Sequence, residues 1–180
     1  MTTRNDALGF TLIELMLVVG IVGVLAVVAL PAMRDLVVSN RMKTLSLDIY
    51  TSLALARSEA IKRNSGNISM IATGGNWQNG WQVCVDTNAN SSCDAGEAVV
   101  TAMDAVDSSV TLTAKDPATL NPISIVTFNR DGRLSSAAVS FRIIYTANNA
   151  QTPMRCVELS VSGRPKTLVD TDQNDGNGCG

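Results

Sequence analysis

The sequence predicts an α+β protein in which one long N-terminal helix, apolar in its first half, packs on a C-terminal antiparallel β-sheet head. Three observations carry this expectation. From Phe10 to Met33 the only ionisable side chain is Glu14. From Met42 to Ala60 apolar residues recur at spacings of three and four, the period of one helix face. After Gly66 the pattern changes to short β-like runs broken by Gly, Asn, Asp and Pro, with no second helical stretch of any length. Strands without crossover helices pair antiparallel.

Taken in order, the chain divides into a polar leader at 1–9, an apolar helix half at 10–33, an amphipathic half at 34–66 and a β-rich head at 67–180. The apolar half is long enough to span a membrane, which takes ~20 apolar residues at ~1.5 Å each. A secretory signal would have a shorter apolar core and a small-x-small site at its far end. Here the distinctive residues, Gly9, Phe10 and Glu14, lie at the near end. A lone carboxylate at that depth costs roughly 2.5 kcal/mol or more, so Glu14 is read as functional. Gly20 and Gly23 offer close-packing surface between apolar helices. Arg4 is offset by Asp6 and Arg34 by Asp35, so loop charge orients the span only weakly.

In the amphipathic half the stripe is Met42, Leu45, Ile49, Leu53, Ala56 and Ala60, with Arg41, Lys43, Asp48, Arg57, Lys62 and Arg63 largely off it. A coiled-coil seam would use the same spacing, but the small Ala56 and Ala60 suit close contact with a sheet. Asn64-Ser65-Gly66 supplies the stop signal. A helix from Phe10 to Asn64 would be roughly 80 Å long. Strand candidates are Asn67–Thr73, Trp81–Val85, Ala98–Ala102, Val110–Thr113, Ile123–Phe128, Val139–Tyr145 and Arg155–Val161, with Arg130-Asp131-Gly132-Arg133 as a hairpin turn.

The chain has 180 residues and no histidine, which removes the usual general base, the usual zinc ligand and every Ser-His or Cys-His arrangement. Asp104 and Asp107 lie in a polar stretch with no apolar pocket to raise a pKa, and no P-loop or nucleophile elbow occurs. Enzymatic function is not expected. Four cysteines after an export segment point to disulfides. They allow three connectivities; Cys84–Cys93 with Cys156–Cys179 is favoured because it closes one short and one moderate loop. Charge is uneven: residues 84–120 hold six acids and one base, net −5, and residues 130–166 hold six bases and two acids, net +4. Solvated faces, steering of a polyanion and docking of head against head are the alternatives.

Asp86, Asn88, Asn90 and Glu97 fall at positions 1, 3, 5 and 12 of a loop, the ligand spacing of a calcium-binding EF-hand. Calcium is therefore a candidate cofactor. Ser91 stands where such a loop wants glycine, and Asx-rich loops also form as plain turns. Asp170 to Gly176 invites the same suspicion but has no distant carboxylate to close it.

The run from Gly9 to Met33 resembles the class III signal of type IV prepilins and type II secretion pseudopilins. The resemblance implies that a prepilin peptidase cuts after Gly9, that Phe10 is N-methylated, that Glu14 serves assembly and that Pro31 bends the helix. It implies a cytoplasmic N-terminus, a single span in a bacterial inner membrane, an assembly platform there, and other pilins or pseudopilins as fibre partners. Glu14 would then supply the counter-charge to a new N-terminal amine in a dry fibre core. Leu55 to Asn64, Gly80-Trp81-Gln82-Val83 leading to Asp86, and Ser162-Gly163-Arg164 are similar to the GspH/FimT family, which holds both FimT/FimU-type minor pilins and the H pseudopilin of type II secretion. The two cysteine pairs and the Gly-Arg element tilt the reading to a minor pilin that primes or caps a fibre. FimT-type pilins bind DNA through a C-terminal Gly-Arg-x-Arg element, to which Arg164 and Lys166 correspond, with lysine where arginine is expected. Lysine keeps the charge but loses the bidentate fork. Arg155 and Arg142 would add to that face if the strand register allowed.

Overall fold

The computed structural model describes residues 10–64, 66–147, 152–172 and 178–179, with backbone alone at 28 and 30–32. The leader and Gly9 lie outside the described residues, as do 173–177 of the acidic tail. Two compact units separate at Val37/Val38.

Helix α1, Leu12–Arg63, has 52 residues. Thr11 stands at its N-cap position, and its Oγ1 accepts the Glu14 N–H at 3.2 Å. Thr11-Leu12-Ile13-Glu14 is thus the sequence of a capping box, a signal the periodicity reading passed over. At the other end Asn64 takes the left-handed conformation (φ 48°) and its N–H closes on Ile61 O at 3.1 Å. Lys62 and Arg63 complement the helix C-terminus and pair with Glu59, whose carboxyl Arg63 and then Lys62 hold below its ordinary pKa.

The head has eight strands: β1 Ile68–Ala72, β2 Trp81–Val85, β3 Val99–Met103, β4 Val110–Lys115, β5 Ile125–Phe128, β6 Val139–Tyr145, β7 Arg155–Leu159 and β8 Pro165–Val169. They form two four-stranded sheets, β3-β2-β1-β5 and β4-β6-β7-β8, with every strand pairing antiparallel. β8 lies beyond the last strand expected from the sequence, which ended at Val161, and is a correction. Proline at the first position of an edge strand forfeits no ladder bond, so Pro165 was no obstacle. β5 starts later than expected because Ile123 leaves it to donate its N–H to Ala114 O at 2.9 Å.

Met42, Ile49, Leu53, Ala56 and Ala60 of the α1 stripe are fully buried in the head's core, together with Trp81, Phe128 and Phe141. Ser46 takes the fully buried place beside Leu45, and its hydroxyl donates to Met42 O at 2.8 Å, so the polar group costs little. Trp81 Nε1 donates to the buried Ser52 Oγ at 3.1 Å. Trp77 lies edge-on to Phe141 of β6, with ring centroids 4.8 Å apart, and its ring N–H donates to Ile123 O. Pairs of this kind add ~0.5–1.5 kcal/mol to the burial itself.

Candidate functional site

At the N-terminal end of the described chain, Phe10 is 86% exposed and Glu14 is exposed one turn into α1. Leu12, Ile13, Leu15, Val19 and Val24 are exposed as well. A Cβ added at Gly20 or Gly23 would meet nothing within 4 Å, so neither glycine serves packing inside this chain. Any close approach they permit is to another molecule. Among the described residues no helix is long and apolar enough to cross a membrane.

The Asx-rich loop is closed covalently by Cys84–Cys93, with Cα atoms 5.9 Å apart. Asp86 is buried; its Oδ1 accepts the Asn90 N–H at 3.1 Å and its Oδ2 the Ser91 N–H at 3.0 Å. Asn88 Oδ1 accepts from Asn90 N–H and Asn90 Oδ1 from Ser92 N–H. Glu97 Oε1 accepts from the Thr87 N–H and hydroxyl, and Oε2 from the Asp94 N–H. Every side-chain oxygen of the four calcium candidates, Asp86, Asn88, Asn90 and Glu97, thus already accepts a hydrogen bond from the loop itself. Among the described residues no group of three or more Asp, Glu, Cys or His side chains converges to hold a metal. The geometry is a self-satisfied turn, with Ser91 left-handed at φ 68°. Glu97 is held below its ordinary pKa, first by the Asp94 N–H, and Asp94 is held down by the Asn88 and Asn90 amides.

The basic residues are dispersed. Arg164 and Lys166 are exposed, Arg164 just before β8 and Lys166 on it. Lys166 pairs across the strands with Glu158, and Glu158 with Ser140, so all three share one face of the sheet. Arg155 pairs with Ile143 and Val169, the rows that alternate with these, so it belongs to the opposite face. Its half-buried guanidinium has its pKa lowered by desolvation. Arg142 shares the face of Lys166 but is buried, with Gly178 against its guanidinium. Cys156–Cys179 holds that end of the chain, with a Cα–Cα distance of 5.9 Å. The expectation that Arg155 and Arg142 extend a basic face around Arg164 and Lys166 is therefore corrected by the register and by the tail.

What the late Gly-Arg element does build is a fastening. Arg57 Nε of α1 donates to Gly132 O at 3.0 Å. Gly132 (φ 71°) sits in the turn after β5 and Gly163 (φ 74°) in the turn after β7. A Cβ on Gly163 would collide with Gly132 O, and one on Gly132 would lie 2.7 Å from Ile61 Cδ1. Gly80 is similarly constrained, since a Cβ there would collide with Met103 O. Arg57 counted in the sequence merely as an off-stripe cation; its partner is 75 residues away, which no local pattern shows.

Comparison with known proteins agrees with this architecture. The family profile described as Type II transport protein GspH matches residues 46–163, and the Prokaryotic N-terminal methylation motif matches residues 4–30. Minor pilin FimU of Pseudomonas aeruginosa superposes with a TM-score of 0.59 at 21% identity, over 78% of this chain and 96% of that one. The minor pseudopilin EpsH of Vibrio cholerae gives 0.53 at 13% identity, over 72% and 97%. Pilin-like protein PilA1 of Thermus thermophilus is 43% identical over 94 residues, 49% of this chain and 54% of that protein. The fimbrial protein EcpC of Eikenella corrodens is 59% identical over 34 residues, 19% and 22%. The alignments thus span about half or less of these relatives. An apolar N-terminal helix bearing a methylation motif, joined to this two-sheet head, defines a pilin-like structural subunit and not an enzyme. The chain belongs to the GspH family and carries the prokaryotic N-terminal methylation motif.

Proposed function

We propose that the chain is a minor subunit of a type IV pilus, made as a precursor, cut after Gly9 by a prepilin peptidase and N-methylated at Phe10. The 10–33 helix then anchors it in the inner membrane until an assembly platform moves it into a fibre with other pilins, where it primes or caps assembly. Pro31 gives that helix its bend. The observation that carries the reading is the exposed apolar face of α1 with one acid, Glu14, a turn from its start. Such a surface needs burial by like helices, and Glu14 offers the counter-charge for an incoming N-terminal amine. The pilus reading is preferred to a type II secretion pseudopilin because PilA1 and EcpC are named as a pilin-like and a fimbrial protein.

Nucleic-acid binding is left with Arg164 and Lys166 alone, since Arg155 faces the other way. Two phosphate contacts support only weak, salt-steep binding. The test of the proposal is to compare wild type and Glu14→Ala in membranes and in sheared fibres. Wild type is expected in both, and Glu14→Ala is expected processed in membranes but depleted from fibres. Equal incorporation of the two would remove Glu14 from assembly.

A further inference from the structure

Helix α1 carries a second line of side chains that the head does not bury. Leu47, Tyr50, Ala54, Arg57 and Ile61 each follow a buried residue, Ser46, Ile49, Leu53, Ala56 and Ala60. The line therefore runs about 100° round the helix from the core stripe. Leu47 is 57% exposed, Tyr50 37% and Ile61 50%. Apolar residues scattered on a surface need no explanation. These lead into a cavity of about 400 Å³, lined from α1 by Tyr50, Arg57, Ser58 and Ile61 and from the start of β8 by Arg164 and Pro165.

The polar side chains of the cavity are two guanidiniums and two hydroxyls, and no carboxylate lines it. Arg57 Nε is held by Gly132 O at 3.0 Å, which fixes the guanidinium and leaves both Nη groups without a partner among the described residues. The Arg164 guanidinium and the Tyr50 and Ser58 hydroxyls make no hydrogen bond or ion pair there either. Two cations facing one cavity repel unless an anion lies between them. The chain's own acids do not supply it. Asp48 and Glu59 stand two residues from Tyr50 and Arg57 and so face away from them, and Glu59 pairs with Lys62 and Arg63. Glu158 lies across the sheet from Lys166, and Asp131 shares its turn with Arg130 and Arg133. Asp170 and Asp172 follow the opposite end of β8.

We propose that this cavity seats an acidic segment of a neighbouring, different pilin subunit. One carboxylate enters between Arg57 and Arg164, and an apolar residue beside it covers Tyr50 and Ile61. This rests on the reading of the chain as a fibre subunit and names the surface and the chemistry of its neighbour. Guanidinium and carboxylate match as planar forks, and Arg and Tyr are the side chains that most often anchor protein interfaces. A phosphodiester strand would use the two cations but not the aliphatic Leu47, Ala54 and Ile61, which favours a protein partner.

The test uses the full chain in its own membranes and fibres, with p-benzoyl-phenylalanine as a photoprobe in place of Tyr50 or, in a second variant, of the exposed Ser58. In sheared fibres, irradiation should give an adduct with another pilin, and the linked peptide should hold an Asp or Glu close to the attachment point. Arg164→Glu, at an exposed position, should lower the adduct per incorporated chain several-fold. Changing the partner's acid to lysine should restore it. Lys166→Glu, on β8 but outside the cavity, should leave the yield unchanged. An adduct with DNA or with a second copy of this chain, or a linked peptide without an acid, would overturn the contact. So would a yield unmoved by Arg164→Glu or lowered equally by Lys166→Glu, and so would fibres that hold the chain without an adduct from either probe. Absence of the unsubstituted processed chain from fibres would overturn the fibre-subunit reading itself, and the contact with it.

Discussion

Arg57, Gly132 and Gly163 show how single residues fasten elements that are distant in sequence. Gly163 is left-handed and lies against Gly132 O, so Gly163→Ala combines backbone strain with collision. It should destabilise the head by about 2–4 kcal/mol, seen as a fall in melting temperature, whereas Ser162→Ala should be close to neutral. The Asx loop gives a prediction of another sign. Glu97 and Asp94 have pKa values lowered by folding, so their contribution is present above the ordinary carboxylate range and is lost as pH falls through the lowered values. Hydrogen-exchange protection at the Thr87 and Asp94 amides should drop on acidification, and Glu97→Gln should remove that pH dependence. Calcium should leave the melting curve of the wild type unchanged. The loop's residues were legible in the sequence because Asp and Asn announce turns locally. Which donors their oxygens would meet was not, since spacing is the same for a cation and for a ring of N–H groups.

At the scale of elements, periodicity read the amphipathic half of α1 and the central strands well, because burial on one face writes itself into spacing. β2 and β6 match their expected bounds, and both are rich in apolar and aromatic residues. β8 was missed because Lys166 and Thr167 are exposed and Pro165 argues against a strand, although an edge strand tolerates both. The division into two sheets was also out of reach. It depends on which strand β4 chooses, and Gln78, 32 residues before Val110, helps to settle that. Leu53→Ala, at the fully buried centre of the stripe, should cost about 2–5 kcal/mol with the helix retained by circular dichroism. Opening Cys84–Cys93 by Cys→Ser replacement of both should cost about 2–4 kcal/mol and loosen the 86–97 loop without unfolding β1 or β6.

For the whole molecule, the head closes a core of its own and the start of α1 does not. The core of the unit from Val38 onward is closed by helix, two sheets and two disulfides. The exposed apolar side chains from Phe10 to Val27 have their explanation outside a single chain. That requirement was the most legible feature of the sequence, because it needs no tertiary context: length, apolarity and one acid suffice. As proposed, this segment is a processed assembly helix. The direct test is the intact mass of the chain recovered from membranes or fibres. Loss of residues 1–9 and one added methyl group on Phe10 are expected. A mature chain cut beyond Leu30, lacking the apolar helix altogether, would contradict the proposal.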